Sequence, residues 1–212
     1  MMELTSKVRQ MNTNNRTKHM RILSLFICSL LTSGLFADDT VRPKQSPIGI
    51  SITEEVQFPN AQTDIMGFRL CLLYGRHVNV SGFDLGVIGC GVDGYLFGLQ
   101  TSVILNDVCA GNGAMQLSGI ANNCLDDFSG FQISGIANSV GGIVYGGQCG
   151  GFNAAKELRG TQIGLFNKTE NAYGIQIGVI NWTKSMHGVQ MGLLNVIEQS
   201  NCPYMILVNA NF

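Results

Sequence analysis

Apolar and polar-or-small residues alternate in short runs along most of this chain. In GIQIGVIN, Gly174, Gln176 and Gly178 share one parity, and Ile175, Ile177 and Val179 share the other. A period of two predicts a β-strand with one apolar face and one polar or small face. Asn181 and a polar stretch then interrupt the run; Asn tolerates left-handed backbone and bonds its own turn. A helix is excluded, because Gly at two of eight positions costs about 1 kcal/mol each relative to Ala. The parity predicts that Ile163, Leu165, Ile177, Val179, Met191 and Leu193 point into an apolar interior. Gln162, Gln176 and Gln190 are then expected on the other face.

The run is a repeat. GGQCGGFN, GTQIGLFN, GIQIGVIN and GVQMGLLN open at Gly146, Gly160, Gly174 and Gly188, 14 residues apart. Each reads Gly-x-Gln-x-Gly-x-x-Asn, with Gln148, Gln162, Gln176 and Gln190 followed by Asn153, Asn167, Asn181 and Asn195. Upstream, GLQTSVILN, AMQLSGIAN and GFQISGIAN carry one extra residue before Asn, and Gln100, Gln116, Gln132 and Gln148 are 16 apart. Two degenerate copies come first, GFRLCLLY at Gly67 and GFDLGVIG at Gly82, with Arg69 and Asp84 at the Gln position. Nine copies therefore span Gly67 to about Val196, at steps of 15, 16, 16, 16, 16, 14, 14 and 14. Self-similarity at a fixed short period is the mark of a stacked repeat architecture.

Two all-β architectures use such strands: a β-solenoid or β-roll, and an antiparallel meander β-barrel of outer-membrane type. The solenoid is preferred. Copy length changes in blocks, and a coil stacks best on one of equal length, whereas meander turns alternate between two ends. Recurrent Gln and Asn would also form amide ladders in a parallel in-register stack. In favour of the barrel, strands apolar on one face and polar or small on the other are what membrane barrels show. The closing segment Tyr204 to Phe212 also resembles a terminal aromatic barrel strand. The chain divides into an extension and signal peptide over 1–37, a lead-in or cap over 38–66, the nine-copy domain over 67–199 and a closing strand over 200–212.

FRLCLLYG, GFDLGVIG, the GLQ/GIQ-type copies with downstream Asn, and the final ILVNANF together resemble the bacterial surface repeat-containing proteins first grouped from Leptospira. The resemblance covers Gly67 to Phe212. It departs where Gln is lost and where the 16-residue copies carry Ser-Gly. It implies a surface or envelope location and brings no catalytic residue.

Composition narrows the reading further. Charged residues are only 13%, the formal net charge is -1, and Gly numbers 27 of 212. Disordered chains need high charge and low hydrophobicity, and nucleic-acid binding needs a clustered basic patch. Neither is present, so no nucleic-acid partner is expected. At the N-terminus, Arg16, Lys18 and Arg21 precede the uncharged run Ile22 to Ala37, followed by Asp38 and Asp39. That order is a secretory signal, with translation able to begin at Met20. The run of 16 is short for a spanning helix, which needs about 20 residues, though an uncleaved anchor is the alternative. Cys28 lacks a small residue before it and is set aside as a lipoprotein site. The expected location is exported, at the outer membrane or cell surface, or in the periplasm. The expected role is a scaffold or interaction surface for an unknown macromolecule, with a small barrel of structural or pore role as the alternative.

Catalytic chemistry is hard to find. No metalloprotease, nucleophile-elbow or phosphate-loop motif occurs in its required context, so no enzyme activity, cofactor or metal is expected. His77 and His187 read as exposed turn residues. Arg69 and Asp84 read as an ion pair closing the first coils. Asp126 and Asp127 read as a solvated turn, with weak cation binding near Asp107 as the alternative. Cys71 and Cys149 read as filling small positions. Cys109 and Cys124 differ by one repeat phase; stacking would bring them close and let them bridge in an oxidising compartment. Asn79, Asn167 and Asn181 match the glycosylation triplet by chance.

Overall fold

Residues 44–212 are described by the computed structural model; the signal reading over 1–37 lies outside them. Twelve strands form one sheet that winds as a β-solenoid, so the barrel alternative is overturned. The strands are β1 (Gln45–Ser51), β2 (Gln57–Phe58), β3 (Asp64–Cys71), β4 (Tyr74–His77), β5 (Val80–Gly86) and β6 (Gly89–Ser102). They continue with β7 (Leu105–Ser118), β8 (Ala121–Cys124), β9 (Phe128–Ser134), β10 (Ala137–Cys149), β11 (Phe152–Ile197) and β12 (Tyr204–Asn211). Repeat copies pair in parallel and in phase: Gly82 with Gly98, Gln100 with Gln116, Gln132 with Gln148, and Gln148 with Gln162. The two ends are closed by antiparallel strands, β2 on β1 and β12 on β11. The stack thus presents short or reversed strands where it would otherwise expose a full parallel edge.

Repeat glycines follow from this stacking. Gly160 has φ +148, and a Cβ there would be driven into the carbonyl oxygen of Gly146 in the coil before it. Only Gly combines that backbone with so close an approach. The fourth copy opens on Ala114 instead, and Gly113 (φ +64) takes the left-handed residue with a local register shift.

The change from 16- to 14-residue coils occurs in two steps. Ala137 pairs with Ala121, 16 back, but with Phe152, 15 ahead. A second residue is lost at the register shift between Val140 and Ile143, after which Gly146 pairs with Gly160. One step falls at the corner before Asn and one on the far side of the coil.

The interior has two compartments. Ile65, Val80, Leu96, Val108, Phe128, Val144, Leu158, Met186 and Ile197 form an apolar column beneath the second half of each coil. Beneath the Gly-x-Gln-x half the interior is polar, which corrects the face assignment made from parity. Gln162, Gln176 and Gln190 are 0% exposed, whereas Ile163, Leu165, Ile177, Val179, Met191 and Leu193 are all exposed. Parity was right but the faces are inverted. The reason is that stacked amides satisfy one another, so burying them does not leave polar groups unpaired.

Candidate functional site: a buried polar spine under an apolar wall

Seven Gln side chains form one hydrogen-bonded ladder. Gln190 Nε2 donates to Gln176 Oε1 at 2.8 Å, and the chain runs through Gln162, Gln148, Gln132 and Gln116 to Gln100 at 2.7–2.8 Å. Gln100 Nε2 then donates to Asp84 Oδ2 at 2.9 Å. Every predicted Gln is therefore placed in one column.

A second ladder runs with opposite polarity. Asn106 Nδ2 donates to Asn122 Oδ1 at 2.9 Å, and the bonds continue through Asn138, Asn153, Asn167 and Asn181 to Asn195 at 2.8–2.9 Å. The predicted Asn153, Asn167, Asn181 and Asn195 are its C-terminal half. The other hydrogen of each amide closes the corner, as when Asn167 Nδ2 donates to the Ile177 carbonyl at 2.8 Å. The unpartnered oxygens of Gln190 and Asn106 are the open ends of the two ladders. Because one ladder donates toward the N-terminus and the other toward the C-terminus, their side-chain dipoles oppose each other.

The Gln ladder ends on an ion pair, as read from the sequence. Arg69 Nε donates to Asp84 Oδ1 at 2.7 Å and Nη2 to Oδ2 at 2.5 Å, with both side chains 0% exposed. Arg69 also donates to the Gly91 carbonyl at 3.0 Å. Burial opposes its charge, but the Asp84 carboxylate more than offsets this and holds the guanidinium above its ordinary pKa.

His77 is buried, which corrects its reading as an exposed turn residue. Its Nδ1 lies 3.1 Å from Arg69 Nη1 and its Nε2 3.2 Å from the Pro59 carbonyl. A cation can only donate, so Nδ1 accepts and Nε2 carries the proton. Burial, then the Arg69 charge, push its pKa down to about 4. Its sequence signal was weak, since it falls between strands in a degenerate copy.

Cys71, Asp84 and Cys90 bring their ligand atoms within 4.8 Å of one another. Both oxygens of Asp84 are engaged by Arg69 and one also by Gln100, so the group is a buried ion pair flanked by two thiols. A hydrogen bond from Cys90 lowers the Cys71 thiol pKa, and the same bond raises that of Cys90. Cys109 and Cys124 lie on adjacent coils, as expected: Cys124 pairs with Val108, and its Sγ is 3.3 Å from the Cys109 carbonyl oxygen. Both are free thiols, and burial pushes Cys124 up to about 12. Asp107 is held by Arg76 and Asn123, and Asp127 accepts from the Ile143 amide, so these carboxylates are spent on the protein itself. His187 is exposed and stacks on Tyr173, with ring centroids 6.0 Å apart.

What faces solvent above the polar spine is apolar. Outward residues of the Gly-x-Gln-x strand form columns such as Phe83, Leu99, Met115 and Phe131, and the following corner carries pairs such as Val103–Ile104, Val179–Ile180 and Leu193–Leu194. No outward position of this wall is charged in any of the nine copies. From Gly67 to Asn195, the exposed charges, including Asp93, Asp126, Lys156, Arg159, Lys168 and Glu170, all lie on the other half of the coil. In the C-terminal copies a groove of about 570 Å³ runs along the wall. Its floor is Gly150, Gly164 and Gly178, and its sides are Cys149, Ile163 and Ile177 against Leu165 and Val179. A hollow of about 110 Å³ adjoins it at Gly147, between Phe131 and Thr161. Comparison with known proteins found no matching family model, no matching curated protein and no matching solved structure.

Proposed function

We propose that this is an exported envelope or cell-surface repeat protein that works as a scaffold, using its apolar wall as an interaction surface and performing no catalysis. The observation that carries the reading is the wall: continuous across nine copies, apolar, and without a single charge. Ordinary monomer surfaces rarely expose apolar patches beyond a few hundred Å², and larger ones mark contact sites. The ladders beneath keep successive rows of the wall aligned, because each coil is held in register with the next. Such long regular faces are what solenoids offer to macromolecular partners. Export is supported by the basic flank and apolar run before Asp38, and an envelope location by the resemblance of the repeats to surface proteins.

Fractionation and protease treatment of intact cells test this reading. The expected result is a chain beginning near Asp38, outside the cytoplasm and cleavable from the surface. A protein retained in the cytoplasm with residues 22–37 intact would overturn export.

A further inference from the structure

The wall is not uniform along its length, and its two halves are complementary. Toward the N-terminus its first column carries Phe68, Phe83, Leu99, Met115 and Phe131, which project from strands whose inner small position is Cys or Ser in four of those five copies. Toward the C-terminus that small position becomes Gly150, Gly164, Gly178 and Gly192, and Gly147 replaces the aromatic. One half is bulky and the other is grooved. A two-fold axis lying in the plane between two facing walls, at right angles to the stacking direction, brings the bulky half of one chain over the grooved half of another, and does so twice.

We propose that the apolar wall is the interface of an antiparallel two-fold homodimer, in which the Phe-bearing half of each wall packs on the glycine-floored groove of its partner. This rests on the reading of the wall as an interaction surface and names its occupant. Isologous interfaces require this kind of self-complementarity. The area is sufficient. Nine coils at about 4.8 Å per step span roughly 38 Å, and the wall is about six residues, roughly 20 Å, wide. Each chain therefore contributes about 750 Å² and the pair about 1,500 Å², the size of a standard stable interface. The occupant must be as free of charge as the wall, since any carboxylate or ammonium seated on it would be desolvated without a partner. A second wall meets that condition at every position. The polar halves, with Lys156, Arg159, Glu170 and Lys184, then face water on both outer sides.

Light scattering on protein purified without detergent tests the dimer. Wild type is expected at twice the chain mass. Leu165→Lys/Leu193→Lys is expected at the chain mass with an unchanged far-UV spectrum, because both side chains already point to solvent, at 61% and 64% exposure. A photoreactive benzoylphenylalanine at Phe83 should cross-link to peptides between Cys149 and Leu193, which reports the antiparallel arrangement. Cross-links to the partner's own Phe83 region instead would refute that arrangement. A monomer that floats with phosphatidylcholine vesicles would overturn the dimer while leaving the wall an interaction surface that takes lipid. A monomer that ignores vesicles, and is unaffected by the lysine pair, would overturn both the dimer and the function proposed for the wall.

Discussion

Gln176→Leu and Ile177→Asp, neighbouring substitutions on opposite faces of one strand, should have effects opposite to those hydropathy suggests. Gln176 donates to Gln162 Oε1 at 2.8 Å and accepts from Gln190 Nε2 at 2.8 Å, and it is 0% exposed. Leucine there leaves Gln162 Oε1 without its donor. Gln190 Nε2 keeps only the Val196 carbonyl at 3.2 Å. An orphaned buried acceptor costs about 1–3 kcal/mol and a lost bond about 1 kcal/mol, so the loss should be roughly 2–4 kcal/mol. Ile177 is 40% exposed. Aspartate loses some packing and strand preference, about 1 kcal/mol, with no buried charge to desolvate. Urea unfolding of each variant across a series of protein concentrations is the assay. Gln176→Leu should lower the midpoint by about 1–2 M at every concentration, taking a slope near 2 kcal/mol/M. Ile177→Asp should fold, and any loss beyond about 1 kcal/mol should depend on concentration, as expected if it weakens association. Failure of Ile177→Asp to fold, with Gln176→Leu neutral, would refute the buried polar spine.

Further outcomes concern the ion pair, the histidine and the thiols. Asp84→Asn leaves Arg69 buried without its counter-charge and should cost about 3–5 kcal/mol; Arg69→Gln/Asp84→Gln extends the ladder by two repeat residues and should cost clearly less, and an equal loss in both melts would contradict the ladder-end role. His77, held neutral with a pKa near 4 against an ordinary 6.5, takes up its proton later in the folded than in the unfolded state. Its contribution is therefore full above about pH 6.5 and lost as pH falls toward 4. The unfolding midpoint should drop over that window, and His77→Gln should flatten the drop. Brief alkylation of the native protein should label the exposed Cys149 and Cys202 but not the buried Cys71, Cys90 and Cys124, read by intact mass. After mild oxidation, peptide mapping should find Cys109 linked to Cys124; Cys109 linked to Cys202 would exclude that bridge.

The repeat, its strand period and the blocks of equal spacing were legible in the sequence and sufficed to choose a solenoid over a barrel, because stacking demands equal coil lengths. The same pattern placed Gln100 to Gln190 in one column and paired Arg69 with Asp84, since residues at equal phase in a parallel stack must be neighbours. Which face turned inward was not legible. Alternation gives two sets of side chains but not the sign, and hydropathy chose Ile177 over Gln176. The tertiary structure reverses that choice because each Gln amide bonds the Gln of the copies above and below, a satisfaction no single strand reveals. His77 was missed for a related reason. Its burial depends on Arg69 and the Pro59 carbonyl, eight and eighteen residues away in sequence, brought to it only by the winding of the first coils. The apolar wall and its groove likewise belong to the stack: in one copy Leu165 is an ordinary exposed leucine, and nine coils in register make it part of a surface.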